Sequence, residues 1–457
     1  MSPRKIAFGD HGVKPRGGHA ALRGAGMNQN YMNYFIITYG CQMNHSDSEK
    51  ITTRLQSMGY KPAANAQAAN LIVINACSVR QSAIHRVYGK VENYKHKKII
   101  IAGCVLPKDK KQLLEKKVGF WHPDEYFCLP ATPKNNFSAQ VPIMTGCNNF
   151  CTYCVVPFTR GEEKSRPTKE IIAEIKKLLK NGAKEITLLG QNVNSYRDNS
   201  NMNSSSVAPA KEDAAINFPK LLKIINALPG NFWLNFLTSH PKDMSDELIE
   251  TAAKCQKVTP YIHLPIQSGD DEILQKMNRH YSVTHYKNLI KKIRLAFKKY
   301  RPAFVPQSGT SADKQTFSPI AISTDVIVGF PGETKRQFQN TAKIMCELKF
   351  DMAYLSRYSL RHGNAAAKLK DNVTPKEKRR RETILNDILT KTVSNNNKQY
   401  LGQEVFVLIR EIKNGFAFGK TATFKTVRIL NKNLKPGDLI RVTITKTLAW
   451  GLGGTIN

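Results

Sequence analysis

The chain has 457 residues and a formal net charge of +34, which comes from 69 Lys and Arg against 35 Asp and Glu. An excess of this size points to a polyanionic partner, and nucleic acid is the usual one. The sequence contains no apolar run of about 18 residues and therefore predicts no membrane span. Nine cysteines without a recognisable export signal favour metal ligation in a reducing cytoplasm over a disulfide framework.

The first residues are rich in Gly, Arg, Lys and His and show no apolar period. We interpret residues 1–32 as a disordered basic tail. A wrongly chosen start codon, with Met27 or Met32 as the true start, accounts for the segment equally well, and we infer no function from it.

Three apolar runs follow, and each ends at a cysteine: YFIITYG before Cys41, LIVINA before Cys77 and KIIIAG before Cys104. Helical patterns separate the runs, and this alternation predicts an open parallel α/β domain, which we assign to residues 33–132. Parallel strands end at one edge of the sheet, where open α/β sheets bind ligands. We therefore expect the three cysteines to gather at one site as ligands of an iron–sulfur cluster.

A second cysteine group lies in residues 141–167, VPIMTGCNNFCTYCVVPFTRGEEKSRP, where Cys147, Cys151 and Cys154 form the pattern C-x3-C-x2-C. Three thiolates can hold three corners of a [4Fe–4S] cube and leave the fourth iron open to a small molecule. A structural zinc site would need a nearby fourth ligand, and no Cys or His occurs between Cys154 and His240. The pattern therefore favours an open cluster over zinc.

The region that follows alternates apolar runs with helical patterns. Its six candidate strands are residues 140–144, 185–189, 232–237, 261–264, 322–328 and 352–358. Six βα units predict a partial (β/α)6 barrel within residues 133–397, with its chemistry at the carboxyl ends of the strands. Polar motifs follow the strands as this architecture predicts: GQN after the second, TSHP after the third, HLPIQSG after the fourth and VGFPGET after the fifth.

Low-complexity and basic segments interrupt this alternation. Residues 198–213 are rich in Asn and Ser and residues 302–319 in Pro, Ser and Gly, so both are predicted to be solvated loops. Residues 273–312 hold nine Lys and Arg and no acidic residue, and the helical segment 375–396 opens with KEKRRR. Two segments of one charge sign on a basic chain indicate a surface for a polyanion.

From Gln399 the pattern changes to short alternating strands, namely EVFVLI, GFAFGK, TVRIL and LIRVTITKTL. Closely spaced strands of this kind predict a small β-barrel, which we assign to residues 398–457. The predicted fold class is therefore α/β with three parts: an open parallel α/β domain, a partial barrel and a small β-barrel.

Three further cysteines belong to neither group. Cys128 is isolated, Cys255 lies on a predicted apolar helix face, and Cys346 shares a helical face with Phe338 and Ala342. Free cysteines are usually small buried residues. We interpret these three as packing residues rather than ligands.

The stretch GCNNFCTYCVVPFTRGEEKSRP, with Tyr153 before its last cysteine, resembles the radical S-adenosylmethionine (SAM) enzymes. Within them it is most similar to the methylthiotransferases, closest to the tRNA 2-methylthioadenosine synthases of the MiaB type. The motif LGQNVNSY is closer to the tRNA-modifying branch than to the ribosomal-protein branch. The resemblance covers residues 33–457 and implies a methylthiotransferase N-terminal domain, a radical SAM core and a C-terminal TRAM domain of OB-like shape.

The resemblance implies two [4Fe–4S] clusters and SAM as cofactors. The SAM-binding cluster would be held by the core triad, Cys147, Cys151 and Cys154. A second cluster, which handles the sulfur to be inserted, would be held by the N-terminal triad, Cys41, Cys77 and Cys104.

Six other residues match positions that contact SAM in the family: Gly190, Gln191, Ile327, Gly329, Arg160 and Arg166. The first two would lie at the amino group of SAM, and the next two would flank its adenine. The two arginines would meet the SAM carboxylate or an RNA phosphate.

Two segments depart from the family pattern. Cys104 is followed by Val105–Leu106–Pro107, where the family has small residues and Gln. The sixth strand is followed by residues 360–364, LRHGN, where the family has a Pro-Gly element that faces the substrate.

The implied activity is methylthiolation of carbon 2 of N6-isopentenyladenosine at position 37 of tRNA, with SAM as both radical source and methyl donor. The implied partners are the tRNA anticodon loop, an electron donor such as flavodoxin or ferredoxin, and a sulfur donor. We expect a cytoplasmic monomer without a membrane partner.

Two alternatives remain open from the sequence. A methylthiotransferase of another branch would act on threonylcarbamoyl adenosine in tRNA or on a ribosomal protein. A non-catalytic RNA-binding protein would hold zinc in its cysteines, and iron and sulfide content distinguishes it from the enzyme.

Overall fold

The structure is a computed structural model that describes residues 32–78, 81–133, 135–200, 215–301, 320–430 and 433–456. The tail predicted at 1–32 lies outside these ranges up to residue 31. The loop predicted at 198–213 lies outside them from residue 201, and the loop predicted at 302–319 lies wholly outside.

Among its described residues, the N-terminal domain has five strands and three helices. The strands are β1 (Asn33–Thr38), β2 (Lys61–Pro62), β3 (Leu71–Ala76), β4 (Lys98–Gly103) and β5 (Gly119–Phe120), and the helices are α1 (Gln42–Ser57), α2 (Gln81–Asn93) and α3 (Pro107–Leu114). All pairs are parallel, in the order β2-β1-β3-β4-β5. Every residue of β3 is buried, because apolar clusters cover both faces of the sheet. The predicted open parallel sheet is confirmed.

In the described parts of the core there are ten strands and eight helices. Its strands are β6 (Ser138–Pro142), β7 (Met144–Thr145), β8 (Lys164–Ser165), β9 (Glu185–Leu189), β10 (Arg197–Asp198), β11 (Ile216–Asn217), β12 (Trp233–Leu237), β13 (Tyr261–His263), β14 (Ala321–Val328) and β15 (Met352–Arg357). Its helices are α4 (Val156–Arg160), α5 (Thr168–Lys180), α6 (Phe218–Asn226), α7 (Asp246–Lys254), α8 (Asp271–Lys276), α9 (Val283–Tyr300), α10 (Lys335–Leu348) and α11 (Pro375–Lys398).

Six of these strands form the predicted partial barrel. β6, β9 and β12 pair in parallel, and so do β13, β14 and β15. A parallel bridge between Leu234 and Val258 joins the two groups. The strands therefore follow one another in chain order, and amphipathic helices such as α5, which buries Ile171, Ile175 and Leu178 on one face, cover the outside.

The C-terminal strands are β16 (Glu404–Lys413), β17 (Phe416–Thr421), β18 (Thr426–Leu430), β19 (Leu439–Leu448) and β20 (Gly451–Thr455). They close into a barrel in the order β16-β17-β18-β20-β19, which confirms the predicted small barrel. Alternating residues such as Val407, Ile409, Val427 and Ile429 fill its interior.

The small barrel packs against the amino ends of the core strands. Arg410 forms an ion pair of 2.6 Å with Glu185, the first residue of β9. The ring of Phe424 stacks on that of Tyr261, the first residue of β13, with centroids 4.2 Å apart. The small barrel thus covers one end of the partial barrel and leaves the carboxyl ends of its strands to the site described next. Within the described ranges, no helix is both long and apolar enough to cross a membrane.

Candidate functional site

The core triad lies in the loop between β7 and α4, at the carboxyl end of the partial barrel. Cys147 and Cys151 are buried and Cys154 is half-buried. The Cys154 amide donates to the Cys151 carbonyl over 2.9 Å, and its thiol accepts a hydrogen bond from the Val156 amide over 3.4 Å. The loop therefore brings the three cysteines together as predicted, while their role as cluster ligands stays a prediction.

Arg279, which follows α8, contacts this triad. It is buried, and its guanidinium donates to the Cys151 thiol over 3.4 Å and to the Pro265 carbonyl over 3.1 Å. Burial raises the pKa of the Cys154 thiol to about 12, so assembly of a cluster here must release a proton. The sequence placed Arg279 in a basic segment but did not single it out.

The N-terminal triad lies at one edge of the first sheet. Cys77 and Cys104 directly follow β3 and β4, and Cys41 stands at the N-cap of α1, where the helix dipole favours negative charge. A Cβ atom added at Gly40 would lie 2.8 Å from Cys77 Cβ, so the first two loops touch. The Cys104 amide donates to the Ala76 carbonyl over 2.9 Å, which joins the third loop to the second.

Each triad offers three soft thiolate donors, and this donor set suits an iron–sulfur cluster. Among the described residues, no three His, Cys, Asp or Glu side chains converge as the ligands of a single metal ion do. A four-iron cube binds each thiolate through a different iron, so its ligands are more widely spaced than those of one ion. The donor chemistry of both triads therefore suits a cluster with one open iron, and their role as its ligands stays a prediction.

A buried amide network fixes the loops of the N-terminal triad. The Asn44 amide donates to Asn75 Oδ1 and to the Ala76 carbonyl, each over 2.9 Å. The Cys41 thiol donates to Asn44 Oδ1 over 3.4 Å. Asn75 was overlooked at the sequence level, although a lone amide inside the apolar run LIVINA is a signal that could have found it.

The residues predicted to contact the SAM amino group follow β9. Gly190 packs closely against the segment before the core triad, since an added Cβ would lie 2.5 Å from Met144 Cγ. Gln191 is half-buried, and its Oε1 atom has no hydrogen-bond partner among the described residues. Both residues therefore lie beside the cysteine loop, where an amino group could reach them.

The residues predicted to flank the adenine lie on and after β14. Ile327 packs in a cluster that includes Tyr153 of the cysteine loop. Gly329 has a φ of +68°, and its amide donates to Glu333 Oε2 over 2.7 Å. An added Cβ at Gly329 would lie 2.4 Å from Lys378 Cγ, so α11 covers this turn from outside. Contact of both residues with SAM stays a prediction.

Several buried polar atoms at the carboxyl edge have no partner among the described residues. They follow β9 and β12 and are Gln191 Oε1, Asn192 Oδ1, Asn194 Oδ1, Ser239 Oγ and His240 Nε2. An unpaired buried polar group costs about 1–3 kcal/mol. A ligand that is itself polar, as the methionine part of SAM is, would satisfy them.

His240 and its neighbours were noted in the sequence only as part of the TSHP motif. Burial, reinforced by the charge of Arg279, lowers the pKa of His240 to about 2, so its imidazole is neutral at physiological pH.

Two residues near the carboxyl edge have a left-handed backbone: Thr238 has a φ of +73° and Gln267 a φ of +68°. Non-glycine residues in this conformation are strained, and such strain clusters at functional sites.

Arg160 and Arg166 lie at the interface between the first domain and the core. Both are buried, at 4% exposure. Arg160 donates to Cys104 and Asp47, and Arg166 donates to Glu174 and the Pro142 carbonyl. Their predicted contact with SAM or phosphate is untested, and these contacts favour roles within the protein instead.

The two segments that depart from the family pattern meet each other. Arg361 after β15 donates to Asp109 Oδ2 over 3.3 Å and also to Gln81, both in the first domain. A Cβ atom added at Gly363 would lie 3.6 Å from Leu106 Cδ2. The two departing segments therefore lie close to each other in the fold.

The three cysteines outside the triads differ in exposure. Cys255 is buried in the core cluster, whereas Cys128 and Cys346 are exposed. The packing interpretation is therefore wrong for the latter two. Residues four positions apart on an α-helix are offset by about 40° around its axis. Cys346 is two such steps from Phe338 and therefore lies outside the buried face that contains Phe338.

Two family models match the chain. Residues 33–121 match the model described as "Uncharacterized protein family UPF0004", and residues 141–308 match the model described as "Radical SAM superfamily". Among solved structures, the radical SAM methyltransferase TsrM from Kitasatospora setae is similar with a TM-score of 0.44 and 11% identity, over 71% of this chain and 73% of that one.

Two curated relatives match almost from end to end. A tRNA-2-methylthio-N(6)-dimethylallyladenosine synthase from Clostridium botulinum (strain Hall) is 36% identical over 92% of this chain and 96% of its own length. A protein of the same name from Alkaliphilus oremlandii is 35% identical over 94% of this chain and 93% of its own. The chain therefore belongs to the radical SAM methylthiotransferase family, among the tRNA-2-methylthio-N(6)-dimethylallyladenosine synthases of the MiaB type.

Proposed function

We propose that this enzyme methylthiolates carbon 2 of N6-isopentenyladenosine at position 37 of tRNA, with SAM as radical source and methyl donor. The observation that carries the proposal is the 36% identity, over 96% of its length, to a synthase named for N(6)-dimethylallyladenosine, which is another name for this nucleoside. The chain is a radical SAM transferase, and SAM and [4Fe–4S] clusters are its cofactors.

In this proposal the two triads divide the work. Cys147, Cys151 and Cys154 would hold the SAM-binding cluster, and Cys41, Cys77 and Cys104 would hold the second cluster. When bound, the clusters and SAM supply the electron transfer, the radical chemistry and the methylthio group.

The other residues of the chain bind and orient SAM and keep water out of the barrel interior. The unpaired polar atoms after β9 and β12 suit the amino and carboxylate groups of SAM. The neutral His240 adds no charge to this pocket. At the opposite end of the barrel, the Arg410–Glu185 ion pair helps to close the interior against solvent.

The substrate base must reach this pocket from the anticodon loop. Bases in a stacked loop are commonly turned out before chemistry occurs on them. We further propose that a flavodoxin or ferredoxin supplies electrons, that a separate donor supplies sulfur, and that the enzyme works as a cytoplasmic monomer.

The activity is tested by mass spectrometry of tRNA nucleosides. tRNA from a deletion strain should contain N6-isopentenyladenosine without its 2-methylthio form, and the reconstituted enzyme with SAM should restore that form anaerobically. The deletion strain could instead lose methylthiolation of threonylcarbamoyl adenosine or of a ribosomal protein and still contain the 2-methylthio form of N6-isopentenyladenosine. That result would identify one of the alternative substrates.

Metal content distinguishes the enzyme from a zinc-containing RNA-binding protein. Anaerobic reconstitution is expected to incorporate about eight irons per chain, two cubes of four. The measurement is iron and acid-labile sulfide per chain, with zinc determined in parallel. A plateau near four irons would mean that one triad holds no cube, and stoichiometric zinc without iron would favour the binding protein.

We propose the outer face of the small barrel as the tRNA-binding surface. Arg428 and Arg441 are exposed, and their guanidinium groups lie over the rings of Phe416 and Phe406, 4.7 and 5.2 Å from the centroids. Cations beside aromatic rings are typical of surfaces that bind phosphates and stack on bases.

Replacing Arg428 and Arg441 together by Glu is expected to weaken tRNA binding and to flatten its dependence on salt. Each lost phosphate contact reduces the magnitude of the negative slope of log K for binding against log salt by about 0.9. Loss of both contacts should therefore reduce it by about two. Lys176→Glu with Lys177→Glu on the exposed side of α5 makes the same charge change elsewhere and is the control. An unchanged slope in the arginine variant would show that this face does not bind tRNA.

A further inference from the structure

Arg160 connects the two cysteine triads. It is the last residue of α4, the short helix that begins two residues after Cys154 of the core triad. Its side chain reaches into the first domain, where Nε donates to the Cys104 thiol over 3.1 Å. A residue of the core motif therefore contacts a predicted ligand of the other site.

Asp47 on α1 holds the same guanidinium in place. Its Oδ2 atom lies 2.6 Å from Arg160 Nη2, and the side-chain exposure is 2% for the arginine and 1% for the aspartate. Arg160 Nη1 and Asp47 Oδ1 have no partner within the described ranges. The charge pair is thus desolvated beside the thiol, where its electrostatic influence is least screened.

Hydrogen bonds to ligand sulfurs and the net charge nearby set the reduction potential of an iron–sulfur cluster. A donated hydrogen bond and a positive charge stabilise the reduced, more negative form. A carboxylate has the opposite effect. Arg160 and Asp47 therefore act on Cys104 with opposite signs, although they form one ion pair.

We propose that Arg160 is a positioning residue that holds Cys104 from the core domain and raises the reduction potential of the second cluster, and that Asp47 opposes part of this rise. The inference rests on the second cluster of the proposed function. It also couples the two sites mechanically, because the helix that follows the core triad holds a ligand of the other triad.

The test is an anaerobic redox titration followed by electron paramagnetic resonance. It uses the full chain with Cys147, Cys151 and Cys154 replaced by Ala, so that only the second cluster contributes. Arg160→Gln should shift the midpoint to more negative values, and Asp47→Asn should shift it to more positive values. Each shift should change the ratio of oxidised to reduced cluster at least tenfold at a fixed potential. For one electron, a tenfold change corresponds to a midpoint shift of about 59 mV.

The opposite signs are the diagnostic feature, because general loosening of the interface would move both variants in the same direction. Arg166→Gln is the matched control: it removes another buried arginine at this interface that contacts Glu174 but no cysteine, and the midpoint should not move. If Arg160→Gln loses iron, Arg160→Lys should retain the cluster with an intermediate midpoint, and Asp47→Asn still tests the sign.

Two outcomes would overturn the inference, and they are distinguishable. If the chain with Cys147, Cys151 and Cys154 replaced by Ala binds no iron, the second cluster of the proposed function is absent, and this inference falls with it. A chain that binds eight irons, but whose second cluster ignores both substitutions or shifts in the same direction with both, would overturn the inference alone.

Discussion

Replacement of Cys104 by Ala is expected to abolish methylthiolation of tRNA while reductive cleavage of SAM continues. The thiol follows β4 in the first domain, whereas the predicted SAM contacts lie in the core barrel. Loss of one of three thiolates should cripple the second cluster and leave the core triad intact. The same result is expected for Cys41→Ala and Cys77→Ala.

The measurements are 5′-deoxyadenosine formed and 2-methylthio nucleoside formed, each per enzyme. Cys128→Ala is the matched control, since it removes an exposed cysteine of the same region that belongs to neither triad. Because metal binding also contributes folding energy, each variant should first be shown to be folded and to retain about four irons. A folded Cys104→Ala enzyme with normal methylthiolation would show that this triad does not handle sulfur.

Replacement of Cys151 by Ala is expected to abolish both SAM cleavage and methylthiolation. Cys151 is the thiol that Arg279 contacts, and it lies at the centre of the core loop. Without it, the cluster that binds SAM should be lost or crippled. The 5′-deoxyadenosine formed by SAM cleavage should then fall below detection. Cys147→Ala and Cys154→Ala should give the same double loss.

The reciprocal behaviour of the two triads is the decisive comparison. In the Cys151→Ala enzyme the second cluster should remain, so about half of the iron should be retained. Cys255→Ala supplies a control in the same domain, because this thiol is buried in the core and far in sequence from either triad. SAM cleavage at the normal rate in a folded Cys151→Ala enzyme would contradict the assignment of the core triad.

Strand and helix placement could be predicted because it depends on local patterns. The six candidate barrel strands all correspond to observed strands, with ends that differ by a few residues. The run LIVINA is a fully buried strand, as its continuous apolar character indicates. The convergence of Cys41, Cys77 and Cys104 followed from the same patterns, since parallel strands must end at one edge of a sheet.

Side-chain partners across domains could not be predicted, because they depend on how surfaces far apart in sequence meet. Arg160 matched a family position that suggested SAM or phosphate, yet its guanidinium contacts Asp47 and Cys104, 113 and 56 positions away. Arg279 reaches Cys151 across 128 positions. No periodicity or spacing in the sequence carries such pairings.

The sequence by itself determined the two cysteine triads, the α/β architecture and the small C-terminal barrel, because ligand spacing and apolar periodicity are local properties. Only the tertiary structure decided that the small barrel covers the amino ends of the core strands, through Arg410 with Glu185 and Phe424 with Tyr261. Only it showed that Arg160 joins the two triads. Docking of whole domains is set by complementary shape and by buried charge, and these properties exist only after each domain has folded.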